Sequence, residues 1–205
     1  TNHPIHSHFI YNNIVEIKAI LSVYDEFIIL AFRYTANVKN VWQDLLYPFQ
    51  VRDDNTCDKC KVQKEYNSMW NTIRDNVTAD LREIQEQTKL NKLYITGISL
   101  GGGLANIAFI DINHLKIFGD VRVTTYGAPK VGNKHWAKFF DDATHGQSRR
   151  FIVKGDPIVL LPTCLTPLCN YRQTGIKIVC YENQALCVQE HETDDLLTTV
   201  RDWPQ

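Results

Sequence analysis

Residues 97–101 read Gly-Ile-Ser-Leu-Gly, which matches the pattern Gly-x-Ser-x-Gly and centres on Ser99. In this pattern a sharp turn between a strand and a helix exposes the serine hydroxyl as a nucleophile for acyl transfer, and the glycines remove side chains that would clash. The helix that follows directs free N–H groups and a partial positive charge toward an oxyanion. The pattern predicts Ser99 as a nucleophile and the backbone N–H of Leu100 as an oxyanion donor.

Two other interpretations of this glycine-rich turn are a closely packed structural turn and a phosphate-binding loop. The full dinucleotide pattern Gly-x-Gly-x-x-Gly is absent here, and so is the Gly-Lys-Ser/Thr ending of a P-loop. The nucleophile is therefore the interpretation that we favour.

A serine nucleophile needs a general base and an acid that orients the base. In α/β-hydrolases these residues follow the serine in the order Asp or Glu, then His. Asp156 follows the predicted strand at residues 151–153, within a Gly-Asp-Pro loop, and of the seven histidines only His191 comes after Asp156. We expect His191 to take the Ser99 proton and return it to the leaving alcohol, while Asp156 fixes the tautomer of the base. A histidine in so polar a stretch is by itself more often a solvated side chain, so this assignment depends on chain order.

The elements that must position these residues follow from apolar patterning. A loose start, with His3, His6 and His8, precedes a hairpin of two strands. Strands are expected at residues 14–23, 27–34, 92–96, 121–126 and 151–153, and long helices at residues 69–84 and 99–114. Because strands and helices alternate through the middle of the chain, we expect an α/β fold with a mostly parallel central sheet and helices on both faces, forming one domain over residues 1–205.

A shorter helix is predicted after the hairpin. Its apolar positions follow the spacing i, i+3, i+4, i+7, i+8 and end before Pro48. They are Val38, Val41, Trp42, Leu45 and Leu46.

Composition excludes several function classes. The 205 residues are 44% hydrophobic and 22% charged with a net charge of −1, and lysines and arginines are scattered along the chain. Such a chain has no basic surface for nucleic acid or an anionic membrane. A helix that spans a membrane needs about 20 consecutive apolar residues, and every apolar run in this sequence is much shorter. We expect a soluble monomer that needs no cofactor and no metal.

The cysteines and a glycosylation sequence indicate an oxidising compartment. The six cysteines form an even count, and Asn76 begins an Asn-Val-Thr glycosylation sequence. The chain begins at Thr1 without a charged and then apolar leader, so we expect that any signal peptide has been removed. These features favour a secreted protein.

From about Ile14 to its end, the chain resembles the class 3 lipases, the fungal triacylglycerol lipase family that also contains feruloyl esterases and phospholipases. The likeness depends on several motifs in the family's order. They are Phe-Arg-Tyr-Thr at 32–35, Trp-x-Asp-Leu at 42–45, the Ser99 turn, Tyr-Gly-Ala-Pro-Lys-Val-Gly-Asn at 126–133, and Gly-Asp-Pro at 155–157 with Leu-Pro at 161–162. The resemblance implies an α/β-hydrolase fold, here without the family's usual N-terminal elements.

The resemblance also implies roles for residues near the hairpin. Thr35 would be the second oxyanion donor, through its backbone N–H and its hydroxyl. The helix that begins near Val38 would be a lid, whose apolar face covers the cleft in water and turns toward lipid at an interface. A helix packed in the core has the same spacing, so this alternative stays open.

Three positions depart from the family pattern. Ile98 stands where the family has His, Tyr34 where it has Gly, and Leu160 where it has Arg. A bulky Tyr34 beside Thr35 is expected to narrow the acyl groove or to shift the oxyanion donor.

The cysteines fall into two groups. Some fungal relatives have a close pair like Cys57 and Cys60 after the lid, which implies a disulfide at the lid hinge. The second group precedes His191 and could form two bridges, whose connectivity is open among three pairings. It consists of Cys164, Cys169, Cys180 and Cys187. A zinc site is the rival interpretation, but Cys164 and Cys169 lack the tight spacing of a zinc ribbon.

The leading hypothesis is hydrolysis of carboxylic esters, most of all triacylglycerols at a lipid–water interface, through an acyl-enzyme on Ser99. A feruloyl esterase or phospholipase of the same family is the alternative enzyme. A second hypothesis is a catalytically weak, secreted lipid-binding or partner-binding protein on a lipase scaffold, which Tyr34 and Ile98 motivate.

Overall fold

A computed structural model describes residues 3–12, 17–33, 50–52, 56–162, 170–181 and 184–190. Its strands are β1 (His6–Asn12), β2 (Ile17–Val23), β3 (Ile28–Phe32), β4 (Gln50–Arg52), β5 (Lys61–Gln63), β6 (Lys92–Ile98), β7 (Asp120–Tyr126), β8 (Gly132–Asn133), β9 (Arg149–Val153), β10 (Tyr171–Arg172), β11 (Ile176–Tyr181) and β12 (Gln184–Glu190). Its helices are α1 (Lys64–Thr88), α2 (Leu100–His114) and α3 (Lys134–Ala143), with one 3₁₀ turn at Ile158–Leu160.

The central sheet has eight strands in the order β1-β2-β3-β6-β7-β9-β11-β12. Strands β3, β6, β7, β9 and β11 are parallel, whereas β1, β2 and β12 are antiparallel to their neighbours. A small second sheet has the order β10-β8-β5-β4. Because the five central strands are parallel, the loops that follow their carboxyl ends meet at one edge of the sheet, which we call the carboxyl edge.

The described helices pack against one face of the central sheet. Along β6, Leu93 and Ile95 are buried toward this face. Phe109 of α2 contacts Phe140 of α3 edge to face, with ring centroids 5.4 Å apart. The indole of Trp70 in α1 donates a hydrogen bond of 2.6 Å to Asp111 of α2. The three helices and the sheet therefore share one core, and any helix on the second face lies outside the described residues.

The predicted strands and long helices are present, with ends that differ by a few residues. The start of the chain differs from the prediction of a loose segment, since residues 6–12 form the edge strand β1 and pair with β2. Burial of Ile10 against the core explains the difference. The small sheet, α3 and the hairpin of β11 and β12 were not predicted. No described helix is long and apolar enough to cross a membrane.

Candidate active site

Ser99 lies on the turn between β6 and α2, in a conformation that non-glycine residues seldom adopt. Its φ of 53° and ψ of −122° are held by a hydrogen bond of 2.8 Å from the Ser99 N–H to the carbonyl of Tyr126. Such a backbone costs on the order of 1–3 kcal/mol and persists where the surroundings impose it. Ser99 is half-buried, and its hydroxyl makes no capping bond to the helix that follows. The turn thus has the strained geometry of a nucleophile elbow.

Two glycines let the turn close. A Cβ on Gly97 would clash with the carbonyl of Gly101, and a Cβ on Gly101 would clash with the carbonyl of Phe32 at the end of β3. Because neither residue has a side chain, α2 begins directly against the end of the neighbouring strand. The Gly-x-Ser-x-Gly spacing therefore has the steric role that the sequence predicts.

The first turn of α2 offers N–H groups at the same edge. The N–H groups of Gly102 and Gly103 bond back to the carbonyl of Ser99, at 2.9 and 3.3 Å. Leu100 precedes them as the first residue of the helix, and the first N–H groups of a helix have no acceptor within it. This position suits an oxyanion donor. Thr35 lies outside the described residues, as do Val38, Val41, Trp42, Leu45 and Leu46 of the predicted lid, and Tyr34.

Asp156 lies on the loop after β9, which we call the acid loop (residues 154–162). Its N–H bonds to the carbonyl of Val153 at 3.1 Å, and its Oδ1 accepts a hydrogen bond of 2.9 Å from the N–H of Ile158. Its Oδ2 lies beside Gly127, where a Cβ would approach to 3.1 Å. Gly127 also has a φ of +55°, which favours glycine. One carboxylate oxygen is thus used by the loop itself, and in the described part of the chain the other has no hydrogen-bond partner.

Ser99 and Asp156 lie at the same edge of the central sheet. Ser99 follows β6 and Asp156 follows β9, with β7 between these strands. Both strands are parallel to β7, so their carboxyl ends point the same way. The fold therefore brings the predicted nucleophile and the predicted acid to one edge.

His191 lies outside the described residues, but the strand before it is described. Glu190, the last residue of β12, pairs with Lys177 near the start of β11. Cys180, farther along β11, pairs with Val153 at the end of β9. At about 3.3 Å per residue, Glu190 is thus about 10 Å along the strand from the carboxyl edge. In this pairing β12 leads the chain away from Asp156.

Four of the six cysteines lie among the described residues, where they form two disulfides. Cys57 bonds to Cys60 and Cys180 to Cys187, whereas Cys164 and Cys169 lie outside the described residues. The disulfide between Cys57 and Cys60 contradicts their use as zinc ligands, and no group of three or more potential ligands is found among the described residues. Asn76 is exposed on α1.

Exposed apolar side chains border the carboxyl edge. Ile98, Tyr126 and Val153 end their strands, and Leu160 lies on the acid loop, with exposed fractions of 55%, 46%, 41% and 59%. Two cavities of about 360 and 310 Å³ lie elsewhere, beside β1 and α1. Part of the exposed apolar surface therefore lies at the edge that carries Ser99 and Asp156, while Phe9 on β1 is exposed elsewhere.

Comparisons with known proteins identify sequences that are similar to this chain. The profile of the family described as Lipase (class 3) matches residues 29–166. The secreted mono- and diacylglycerol lipase A of Penicillium camembertii is 30% identical over 135 residues, which is 66% of this chain and 43% of that protein. The secreted mono- and diacylglycerol lipase 2 of Gibberella zeae is 29% identical over 160 residues, covering 66% of this chain and 39% of that protein. The chain thus spans about two fifths of the length of these curated relatives.

Solved structures of fungal lipases have the same fold. The triacylglyceride lipase of Rhizomucor miehei superimposes with a TM-score of 0.78 at 20% identity, over 91% of this chain and 69% of that one. A triacylglycerol lipase whose catalytic centre is described as a serine protease triad gives 0.76 at 22% identity, over 89% and 68%. At these identities the likeness shows the fold, and it confirms the expected α/β-hydrolase architecture.

Proposed function

The chain belongs to the class 3 lipase family, and from this premise we propose that it is a secreted serine hydrolase of carboxylic esters, with acylglycerols as its substrates. The observation that carries the proposal is Ser99 on a strained turn at the same sheet edge as Asp156. Support for an acylglycerol substrate comes from the apolar side chains that border this edge. The names of the two fungal relatives point to the same substrate class.

The proposed reaction has two acyl-transfer steps. The general base takes the proton of Ser99 as its Oγ attacks the ester carbonyl, and the oxyanion accepts hydrogen bonds from the N–H of Leu100 and from Thr35. The base then returns the proton to the leaving alcohol, which leaves an acyl group on Ser99. Water, deprotonated by the same base, releases the fatty acid and restores the serine. Asp156 would hold the base through Oδ2, which accepts no hydrogen bond from the described residues, whereas Oδ1 accepts the N–H of Ile158.

We propose His191 as the base because of its place in the chain order. The pairing of β12 with β11 bears on whether this residue can reach Asp156. Glu190, the residue before His191 in the sequence, pairs with Lys177 in the described structure. The end of β12 would have to leave β11 for the imidazole to reach Asp156. Replacing His191 by alanine tests the assignment, because loss of hydrolysis by about 10⁶-fold supports this base and retained hydrolysis refutes it.

The remaining proposals concern the surroundings of the site. We propose that the helix with Val38, Val41, Trp42, Leu45 and Leu46 is a lid. The disulfides at Cys57–Cys60 and Cys180–Cys187 support a secretory route. A glycan on Asn76 is proposed on its exposed position in α1. A feruloyl ester or phospholipid substrate is the alternative within the family.

A fluorophosphonate probe tests the central proposal. The probe should label the chain at Ser99, and the Ser99→Ala variant should remain folded and unlabelled. Rates on esters of increasing chain length, measured below and above micelle formation, then test the lipid substrate. A jump in rate with micelles supports a lipase with a moving lid, whereas activity that survives in Ser99→Ala refutes the mechanism.

A catalytically weak lipid-binding protein is the second candidate. The observation that favours it is the position of Glu190, which in the described pairing directs the chain away from the site. A folded chain that binds micelles but resists the probe would support this candidate.

A further inference from the structure

Gln173 joins two loops that meet at Asp156. Its side-chain amide donates a hydrogen bond of 2.7 Å to the carbonyl of Val159 in the acid loop. The same nitrogen donates a bond of 3.1 Å to the carbonyl of Ala128, in the loop after β7. An amide nitrogen has two N–H donors, and both are used here.

The two loops are the ones that determine where Asp156 points. The acid loop fixes Oδ1 through Ile158, and Oδ2 lies beside Gly127, the residue next to Ala128. A relative shift of these loops would therefore rotate or displace the carboxylate. Gln173 contacts neither oxygen of Asp156 and acts on both loops.

The residues on both sides of Gln173 are held by β8 and by α2. Before it, Tyr171 pairs with Asn133, and Arg172 pairs with Gly132. After it, the buried hydroxyl of Thr174 accepts a hydrogen bond of 3.4 Å from the side chain of Asn106 in α2. The amide is thus presented from a segment that is tied to the helix beginning at Ser99.

Lys130 adds a second link between the same loops. Its backbone N–H bonds to the carbonyl of Leu161 at 2.7 Å, and its Nζ bonds to the carbonyl of Leu160 at 2.8 Å. These bonds hold the far end of the acid loop. Gln173 holds the part of the acid loop nearer to Asp156, through its hydrogen bond to the carbonyl of Val159.

We propose that Gln173 is a positioning residue, which keeps the Asp156 carboxylate at a fixed distance and angle from Ser99 by clamping the acid loop to the Ala128 loop. The inference rests on the proposed function for its catalytic meaning. Nothing in the sequence pattern marks this glutamine, and its role follows from its two carbonyl partners. Misplacement of a catalytic group by about 1 Å can cost about 10²-fold in rate.

Two substitutions of equal length separate hydrogen bonding from packing. Gln173→Met keeps the length of the side chain and removes both donors. Gln173→Glu keeps its shape but turns a carboxylate toward two carbonyl oxygens, so it should be the more harmful change at neutral pH. The matched control is Gln87→Met, because Gln87 bonds only to Glu83 on the exposed surface of α1 in the described structure.

Kinetics give the first readout. We expect kcat to fall about 10–100-fold in both Gln173 variants, because misplacement of a catalytic group by up to about 1 Å can cost up to about 10²-fold in rate, with KM changed less than about twofold. An oriented carboxylate favours the imidazolium and raises the pKa of the base. When Asp156 is displaced that pKa falls, so the acid limb of kcat/KM should move to lower pH.

Hydrogen exchange gives a readout that does not need activity. The N–H of Ile158, which bonds to Asp156, should exchange faster in both Gln173 variants than in the wild type or in Gln87→Met. If the wild type is inactive, the proposed function is wrong, and hydrogen exchange at Ile158 still tests whether Gln173 holds the two loops together. An active wild type whose Gln173 variants match it in kcat, pH profile and Ile158 exchange would overturn the clamp alone.

Discussion

Gly103 in the first turn of α2 lies against the ring of Tyr66 at the start of α1. A Cβ on Gly103 would lie 2.6 Å from the Tyr66 hydroxyl oxygen, and closer still to two ring carbons. Tyr66 is fully buried, and its hydroxyl has no hydrogen-bond partner within the described structure. Helices α1 and α2 thus approach to a distance that a side chain at position 103 would prevent.

Gly103→Ala is therefore expected to destabilise the protein by about 1–3 kcal/mol, the usual cost of an added methyl group in a packed core. In a helix without this neighbour, alanine is better than glycine by about 0.5–1 kcal/mol. The same substitution made in a Tyr66→Leu background should consequently be neutral or stabilising. Urea unfolding of the wild type, the two single variants and the double variant measures how strongly positions 66 and 103 are coupled. Equal effects of Gly103→Ala in both backgrounds would contradict the predicted clash.

Because the backbone of Ser99 is strained, a glycine at this position should relieve the strain while removing the hydroxyl that the proposed reaction needs. Glycine adopts a φ of 53° freely, whereas alanine does not. Ser99→Gly should thus be more stable than Ser99→Ala by about 1–2 kcal/mol, and both should lack the nucleophile. The comparison of the two variants removes the effect of losing the hydroxyl, so equal unfolding free energies would mean that the turn is not strained.

The sequence predicts those elements whose signals are local and repeated. The apolar stripe of α1 and the alternation along β6 depend on single segments, and the structure confirms both. Helix α3 also had such a signal, since Asn133 caps it and Trp136, Phe139 and Phe140 follow at helical spacing. Asn133 also ends the motif at residues 126–133, and this second role hides its position as the cap of a helix.

Features that arise from distant pairing could not be predicted in this way. The strands β8 and β10 have two residues each, and their partners are set by the folds of other segments. Gln173 follows β10, so its meeting with Ala128 and Val159 depends on three loops that are remote in sequence. His191 lies outside the described residues, so its role as the base stays a prediction from chain order.

Asp156→Asn tests the acid with little change in the loop. An asparagine retains the Oδ1 that accepts the N–H of Ile158, so the fold of the acid loop should persist. The loss of charge and the wrong tautomer of the base should lower kcat by about 10⁴-fold. Asp142→Asn is the control, since Asp142 is exposed and pairs with Lys138. A decrease of less than tenfold in Asp156→Asn, beside an unchanged control, would remove Asp156 from the catalytic machinery.

Lys130 should make stability depend on alkaline pH. Burial, and then the positive charge of Arg172, lower the pKa of Lys130 below its ordinary value of 10.5. Between the lowered pKa and 10.5, the unfolded chain binds more protons at this residue than the folded protein does, so the contribution of Lys130 to the free energy of unfolding rises with pH. Its neutral amine still donates to the carbonyl of Leu160. Urea unfolding across this range should show the wild type gaining stability relative to Lys130→Met as pH increases. A wild type that loses stability relative to Lys130→Met as pH rises would mean that the folded protein favours the charged amine.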